Sequence, residues 1–226
     1  MVVDATYFGK RREATELDGV MVFVDAITGQ VLWAKFIKSE TNNHYKEGLN
    51  CLESRGFEIL GIVSDGRRGL AGIFAKYPYQ VCQFHIQKGV STLLTRNPKS
   101  VAGKELKQFN DTFIKLRLTK AQFMEQIETY LKTHQDYLNE MSETDPTIYK
   151  HQRLRKAIKK YKNNLKYIFT CQNLDLNNKL PSTTNKIDGG VFSPMKRILN
   201  NHSGLSKVHR KNYIIEFLNC RGKKVS

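Results

Sequence analysis

Apolar runs of strand length open the chain, and helical periodicity takes over later. Residues 2–8 (V-V-D-A-T-Y-F) are strand-like from the start. Gly19–Ala26 (G-V-M-V-F-V-D-A) is almost continuously apolar, as a strand buried on both faces would be. Thr28-Gly29 turns the chain and Val31–Ile37 returns, which predicts an antiparallel hairpin with Trp33 in the core or on the sheet surface. Tyr45, Leu49 and Leu52 form the stripe of a helix over about 42–54, stopped near Gly56. Ile59, Leu60, Ile62 and Val63 are too short a run for a helix and predict a fourth strand, ending at Ser64-Asp65-Gly66. Leu70, Ile73 and Phe74 resume helical spacing as far as Tyr77-Pro78. Tyr79–Cys82 reads as a fifth strand, closed by Cys82-Gln83-Phe84-His85. The expected strands are thus near 2–8, 19–26, 30–38, 58–64 and 79–83.

From Ile86 to about Phe169 the pattern is helical. Phe109, Phe113 and Leu116 suit one helix, and Phe123, Ile127, Leu131, Tyr137 and Leu138 another. Over Tyr149–Phe169, Leu154, Ile158, Tyr161, Leu165 and Ile168 recur at helical spacing and predict one long helix. Asn173–Thr184 reads as a polar loop. Helices are expected from about Lys186 to Asn200, with Gly189-Gly190 near the start, and over Ser206–Leu218. The order β-β-β-α-β-α-β followed by helices predicts an α/β protein. Its mixed sheet carries helices on both faces and its first three strands form an antiparallel meander.

Length allows one sizeable core with room for an inserted module. Charge narrows the picture further. The chain has 37 Lys+Arg against 21 Asp+Glu, a net +16, which points to a polyanion, nucleic acid first and an anionic membrane surface second. No apolar run is long enough to span a bilayer, and Asp4 interrupts any signal-peptide pattern. Four scattered cysteines suggest reduced thiols in a cytosolic protein. Natural domains seldom open inside a core strand, so a fragment or truncated reading frame is expected. Along Tyr149–Phe169 the polar positions are basic: Lys150, Arg153, Arg155, Lys156, Lys159, Lys160, Lys162 and Lys166, with no acid between. Such a face is either solvated or phosphate-binding. Self-repulsion within a one-signed face favours the second.

Three acids stand at the ends or starts of elements: Asp4 in the first strand, Asp65 after the fourth, and Asp188 at the start of a late helix. A carboxylate just past a buried strand faces the crevice where open α/β sheets bind ligands. Oxygen ligands of this kind suit Mg²⁺ or Mn²⁺, and two such ions support phosphodiester chemistry. Placement alone leaves the alternatives open: Asp4 as a strand-end turn, Asp65 and Asp188 as caps. Cys82 and His85 form half of a zinc site, with Cys171, His151 or His202 as distant candidates for the rest, or a core cysteine with a hydrogen-bonded histidine. The absence of a second close-spaced pair favours the latter. Arg67 and Arg68 either meet a phosphate or are solvated.

Taken together, V-V-D-A-T-Y (Val2–Tyr7), G-I-V-S-D-G-R-R-G-L (Gly61–Leu70), C-Q-F-H (Cys82–His85) and T-T-N-K-I-D-G-G (Thr183–Gly190) resemble the DDE transposases of bacterial insertion sequences, in the Mutator-like group. The segment N-H-S-G-L-S-K-V-H-R (Asn201–Arg210) resembles that family's basic stretch after the third acid. The resemblance implies a ribonuclease-H-like fold: a five-stranded mixed sheet flanked by helices, with an all-helical insertion before the last catalytic helix. The core would comprise residues 1–95 and 181–226, and the insertion 96–180. Asp4, Asp65 and Asp188 are then the catalytic acids and ligands of two Mg²⁺ or Mn²⁺ ions, and Cys82 and His85 are an accessory pair. Arg67, Arg68, Lys156, Lys159, Lys160, Arg197 and Arg210 are the expected DNA contacts. The implied partner is double-stranded DNA, both element ends and target, bound by a homo-oligomer in the bacterial cytosol. Water would attack a phosphodiester, and the released 3′-hydroxyl would attack target DNA. Two departures matter. The family usually has Glu where Asp188 stands, and its amino-terminal DNA-binding region is not in this sequence. A truncated remnant that only binds DNA and a structure-selective nuclease on the same fold are therefore the alternatives.

Overall fold

Five strands make one sheet in the order β3-β2-β1-β4-β5. They are β1 (Val2–Tyr7), β2 (Gly19–Val24), β3 (Val31–Ile37), β4 (Ile62–Ser64) and β5 (Tyr79–Val81). The computed structural model describes residues 1–8, 18–173, 176, 179–202 and 204–222. β1, β2 and β3 are antiparallel neighbours, whereas β4 lies parallel to β1 and β5 parallel to β4. The expected meander and mixed sheet are present.

Alternation along the strands divides the core into two layers. Val3, Met21, Phe23, Ile37, Ile62, Tyr79 and Val81 join one buried cluster, and Val2, Val20, Val22, Val24 and Val63 join another. All six residues of β2 are buried, which is why its sequence is apolar without a break. Against the first face pack α1 (Asn42–Ser54), α2 (Leu70–Ile73) and α3 (Gln83–Leu93), through Tyr45, Leu49, Leu52, Leu70, Ile86 and Val90. Gly48 lets α1 come this close: a Cβ there would lie 2.5 Å from Phe23 and 2.9 Å from Trp33. The same cluster continues into α4 (Val101–Thr112), α5 (Lys120–Thr133), α6 (Gln135–Asn139) and α7 (Gln152–Asn164) through Leu106, Phe113, Phe123, Leu138 and Tyr161. Thr41, Ser100 and Thr119 cap α1, α4 and α5, the last in a reciprocal box with Gln122. The second face is covered by α8 (Asn185–Ile187), α9 (Ser193–Asn201) and α10 (Lys207–Asn219), through Ile187, Met195, Leu199, Ile214 and Leu218. Among the described residues no helix is long and apolar enough to cross a membrane.

Several elements differ from expectation. Leu116 lies beyond the end of α4 and is exposed, and the single helix expected through Phe123–Leu138 divides at His134 into α5 and α6. β4 begins at Ile62, not near 58. Its first residue pairs with Tyr79, and the preceding Pro78 has no N–H to extend the ladder. Cys82-Gln83-Phe84-His85 does not close β5: Cys82 is the N-cap of α3, so His85 lies in a helix's first turn. The helix expected over 149–169 is only Gln152–Asn164. Tyr149 instead bridges Met141, and beyond Asn164 the chain runs along β5. There Val81 N–H donates to Tyr167 O (2.9 Å), Thr170 Oγ1 to Tyr79 O (2.7 Å) and Cys171 N–H to Gln80 Oε1 (2.9 Å). This segment covers what would be a bare sheet edge. Finally, the helix expected from 186 to 200 is broken by a π-helical turn, Asp188–Phe192, in which Ser193 N–H reaches back five residues to Asp188 O. Pro194, lacking an N–H, cannot continue a regular ladder through Gly190.

Candidate active site

Register brings the first two acids together. Val2 pairs with Val63 in parallel, so two residues further on Asp4 and Asp65 come level on adjacent strands. By alternation both share the side of Val2 and Val63, the face on which α8 and the π-helical turn pack. Asp188 opens that turn. Three acids remote in sequence are therefore brought to the same end of the sheet, near enough for the charges of Asp188 and Asp65 to act on Asp4.

Asp4 is buried and its Oδ1 accepts the Ala5 N–H at 2.7 Å. Burial pushes its carboxyl up to about 7. The Ala5 N–H and the His85 cation act against this, and the charges of Asp188 and Asp65 add to it. Asp65 Oδ1 accepts the Arg67 N–H at 2.9 Å. That turn requires Gly66, whose φ is +82° and whose Cβ would sit 2.6 Å from Val81. The loop is also anchored to α1: Asn42 Nδ2 donates to Arg68 O at 3.1 Å, and Arg67 Nε donates to Asn42 Oδ1 at 3.2 Å.

The accessory pair joins the same cluster. Cys82 is fully buried, and its Sγ receives Thr184 N–H at 3.3 Å and a hydrogen bond from His85. Burial raises the thiol, yet the hydrogen bonds from His85 and Thr184 outweigh it and hold the thiol below its ordinary value. His85 moves the other way, to about 9. The Cys82 hydrogen bond is the main cause, burial opposes it, and the charges of Cys82, Asp4 and Asp65 reinforce it. Thr184, fully buried, places one hydroxyl 3.5 Å from Cys82 Sγ, 3.5 Å from His85 Nδ1 and 3.4 Å from Asp188 Oδ2. It links the third acid to the accessory pair. Sequence reasoning missed it, and the only signal was its place in T-T-N-K-I-D. Tyr45 does more than fill the buried stripe of α1: its hydroxyl donates to Glu40 at 2.5 Å and is raised by burial, by Glu40 and by Asp65 and Asp4.

Three carboxylates supply the hard oxygen donors that Mg²⁺ or Mn²⁺ takes, and a cation there would offset both the burial of Asp4 and the added charges of Asp188 and Asp65. The fit lies in donor type and charge. Among the described residues no three Asp, Glu, His or Cys side chains stand close enough to share one ion. The remaining zinc candidates are elsewhere: Cys171 beside β5, His151 stacked on Tyr137 and bonded to Glu140, His202 at the end of α9. Cys82 and His85 are hydrogen-bonded to each other.

The expected DNA contacts fall in three places. Arg67 and Arg68 flank Asp65, Arg67 being held by Asn42 and lying 3.8 Å from Glu40 while Arg68 is exposed. Lys156 and Lys159 are exposed on α7, but Lys160 lies back across α3, where a Cβ on Gly89 would meet its Nζ at 2.7 Å. Arg197 is exposed on α9, and Arg210 lies 3.9 Å from Asp18.

Comparison with protein-family models, curated proteins and solved structures gives no match.

Proposed function

We propose that the chain is the catalytic domain of a DDE-type DNA transposase on a ribonuclease-H-like fold, acting on double-stranded DNA as an oligomer. The observation that carries this reading is that Asp65, at the end of β4, and Asp188, in the turn after α8, both lie near enough for their charges to act on Asp4 in β1. The strand order, with three antiparallel strands followed by two parallel ones, supports it.

In this reading Asp4, Asp65 and Asp188 would supply carboxylates to divalent cations, with no single ion shared by all three in the geometry described. Bound Mg²⁺ or Mn²⁺ would lower the pKa of the attacking water and stabilise the leaving oxygen. Asp4, rigid in the sheet, sets the position of the site. Asp65 and Asp188 are half-buried and face the crevice the DNA would enter. His85, held by Cys82 and Thr184, places a positive charge beside the phosphate in the range below about pH 9. Water attacks the phosphodiester, and the freed 3′-hydroxyl then attacks the target strand, with no covalent enzyme intermediate.

One observation favours a second reading, a DNA-binding remnant without catalysis. Asp188 is one methylene shorter than Glu, and the acids do not close on a single ion point. The test is incubation of the protein with a 3′-hydroxyl donor duplex and supercoiled plasmid in Mg²⁺ or Mn²⁺. Joined product that disappears in Asp65→Asn supports the transposase. Nicking without joining supports a nuclease. Neither product, with Asp188→Glu equally inert, supports the remnant.

A further inference from the structure

Eight cations lie along or beside α7, and the structure sorts them. Lys150 pairs with Glu143 (3.1 Å) and Glu140 (3.6 Å). Arg153 donates to the carbonyls of Leu93 and Thr92, while Arg155 lies 3.5 Å over the Tyr149 ring and donates to Leu138 O. Lys160 is turned onto Gly89, and Lys166 lies over Tyr167. Lys156, Lys159 and Lys162 are left, with no ion pair or side-chain hydrogen bond among the described residues. All three line one groove of about 670 Å³ between α5, α6 and α7, and Lys132 joins them from α5.

The lining decides the chemistry of the occupant. No acid borders the groove. Leu138 and Ile158, in its apolar floor, are 4% and 5% exposed, and Leu131 beside them is half-buried. Around this floor stand ammonium groups, the Arg155 guanidinium and the amides of Gln135, Asn139 and Asn163. Cations with no acid among them favour a chain of anions, whose sugar hydroxyls also find hydrogen-bond partners in the amides. Lys156 and Lys162 are six residues apart on one helix, about 9 Å along its axis, enough to meet successive phosphates of one strand.

We propose that this groove, none of whose lining residues is one of the three acids, binds the sugar–phosphate backbone of duplex DNA. It takes its partner from the reading above and extends it to a second contact, made by Lys132, Lys156, Lys159 and Lys162 and not by Lys160.

The test is fluorescence anisotropy of a labelled duplex of about 30 base pairs, titrated in EDTA between about 50 and 200 mM salt. Replacing all four lysines by Gln should lower the slope of log K against log salt by about 0.9 per lost contact and weaken binding at least tenfold. Lys159→Glu alone should lower the slope by about one unit. Lys160→Gln, whose side chain lies on Gly89 away from the groove, should bind as the unaltered protein does. An unchanged slope in the fourfold variant, with an unchanged melting temperature, overturns the proposal. So does a variant that keeps its DNA slope but loses binding to labelled polyglutamate, which would assign the groove to an acidic polypeptide. The assay needs no metal. A lost slope in a protein that never cleaves DNA therefore sinks the catalytic reading alone, and cleavage with an unchanged slope sinks this one alone.

Discussion

Asp4→Asn removes a charge from the most buried of the three acids while leaving a side-chain oxygen to accept the Ala5 N–H. In the folded protein this carboxyl titrates near 7, against 3.8 for the ordinary group. Between those values the folded state binds more protons than the unfolded one, so stability falls as pH rises. The contribution is whole below about 3.8 and gone above about 7. At about 1.4 kcal/mol per unit over about three units, the buried charge costs at most about 4 kcal/mol at neutral pH. His85 slopes the same way. Its raised pKa stabilises the fold below 6.5 and the effect is lost through about 9, and Asp4 is part of its support. Removing Asp4 weakens that support, so a net gain of about 2–3 kcal/mol is expected, or roughly 4–12 °C for a chain of this size. Thermal melts without divalent cations, from about pH 4 to about pH 8, should show variant and parent converging at the acid end and the variant more stable at the alkaline end. DNA cleavage should be lost throughout. A variant less stable than the parent near pH 8, or one with an identical pH profile, would refute the claim that burying the Asp4 charge costs more than His85 returns.

Three further outcomes follow from the geometry. Asp188→Glu should preserve or raise metal-dependent nicking, since the longer side chain reaches further toward Asp4 and Asp65; a plasmid-nicking time course checks it. Thr184→Val should lower cleavage by about 10–100-fold, because its hydroxyl orients both His85 and Asp188, and shift the pH–rate profile through His85, while Thr184→Ser restores both. Gly48→Ala, whose new methyl meets Phe23 and Trp33, should cost about 1–3 kcal/mol in a urea melt without altering DNA binding.

Strand content was legible because alternation and continuous burial leave direct marks on sequence. β2 is apolar throughout because both its faces are covered, and Val2, Asp4 and Thr6 share one side because a strand has period two. Asp4 and Asp65 were legible as strand acids, but only the Val2–Val63 register sets them level. Helix limits were less legible because periodic burial outlasts the helix. Ile168 is as buried as Tyr161, yet it belongs to the segment that seals β5, where its carbonyl accepts from Gln80 and Gln83. Thr184 was invisible because one hydroxyl between a thiol, an imidazole and a carboxylate has no periodicity. Lys160 looked equivalent to Lys156 and Lys159, and only the packing of α7 on α3 separates them.

The most direct measurement is a Mn²⁺ titration followed by electron paramagnetic resonance, on the parent and on Asp4→Asn, Asp65→Asn and Asp188→Asn singly. If the three carboxylates act as one cation site, each variant should weaken Mn²⁺ binding markedly, and Asp65→Asn should also abolish the rise in melting temperature that Mn²⁺ produces in the parent. Binding by Asp188→Asn indistinguishable from that of the parent would contradict a three-acid site.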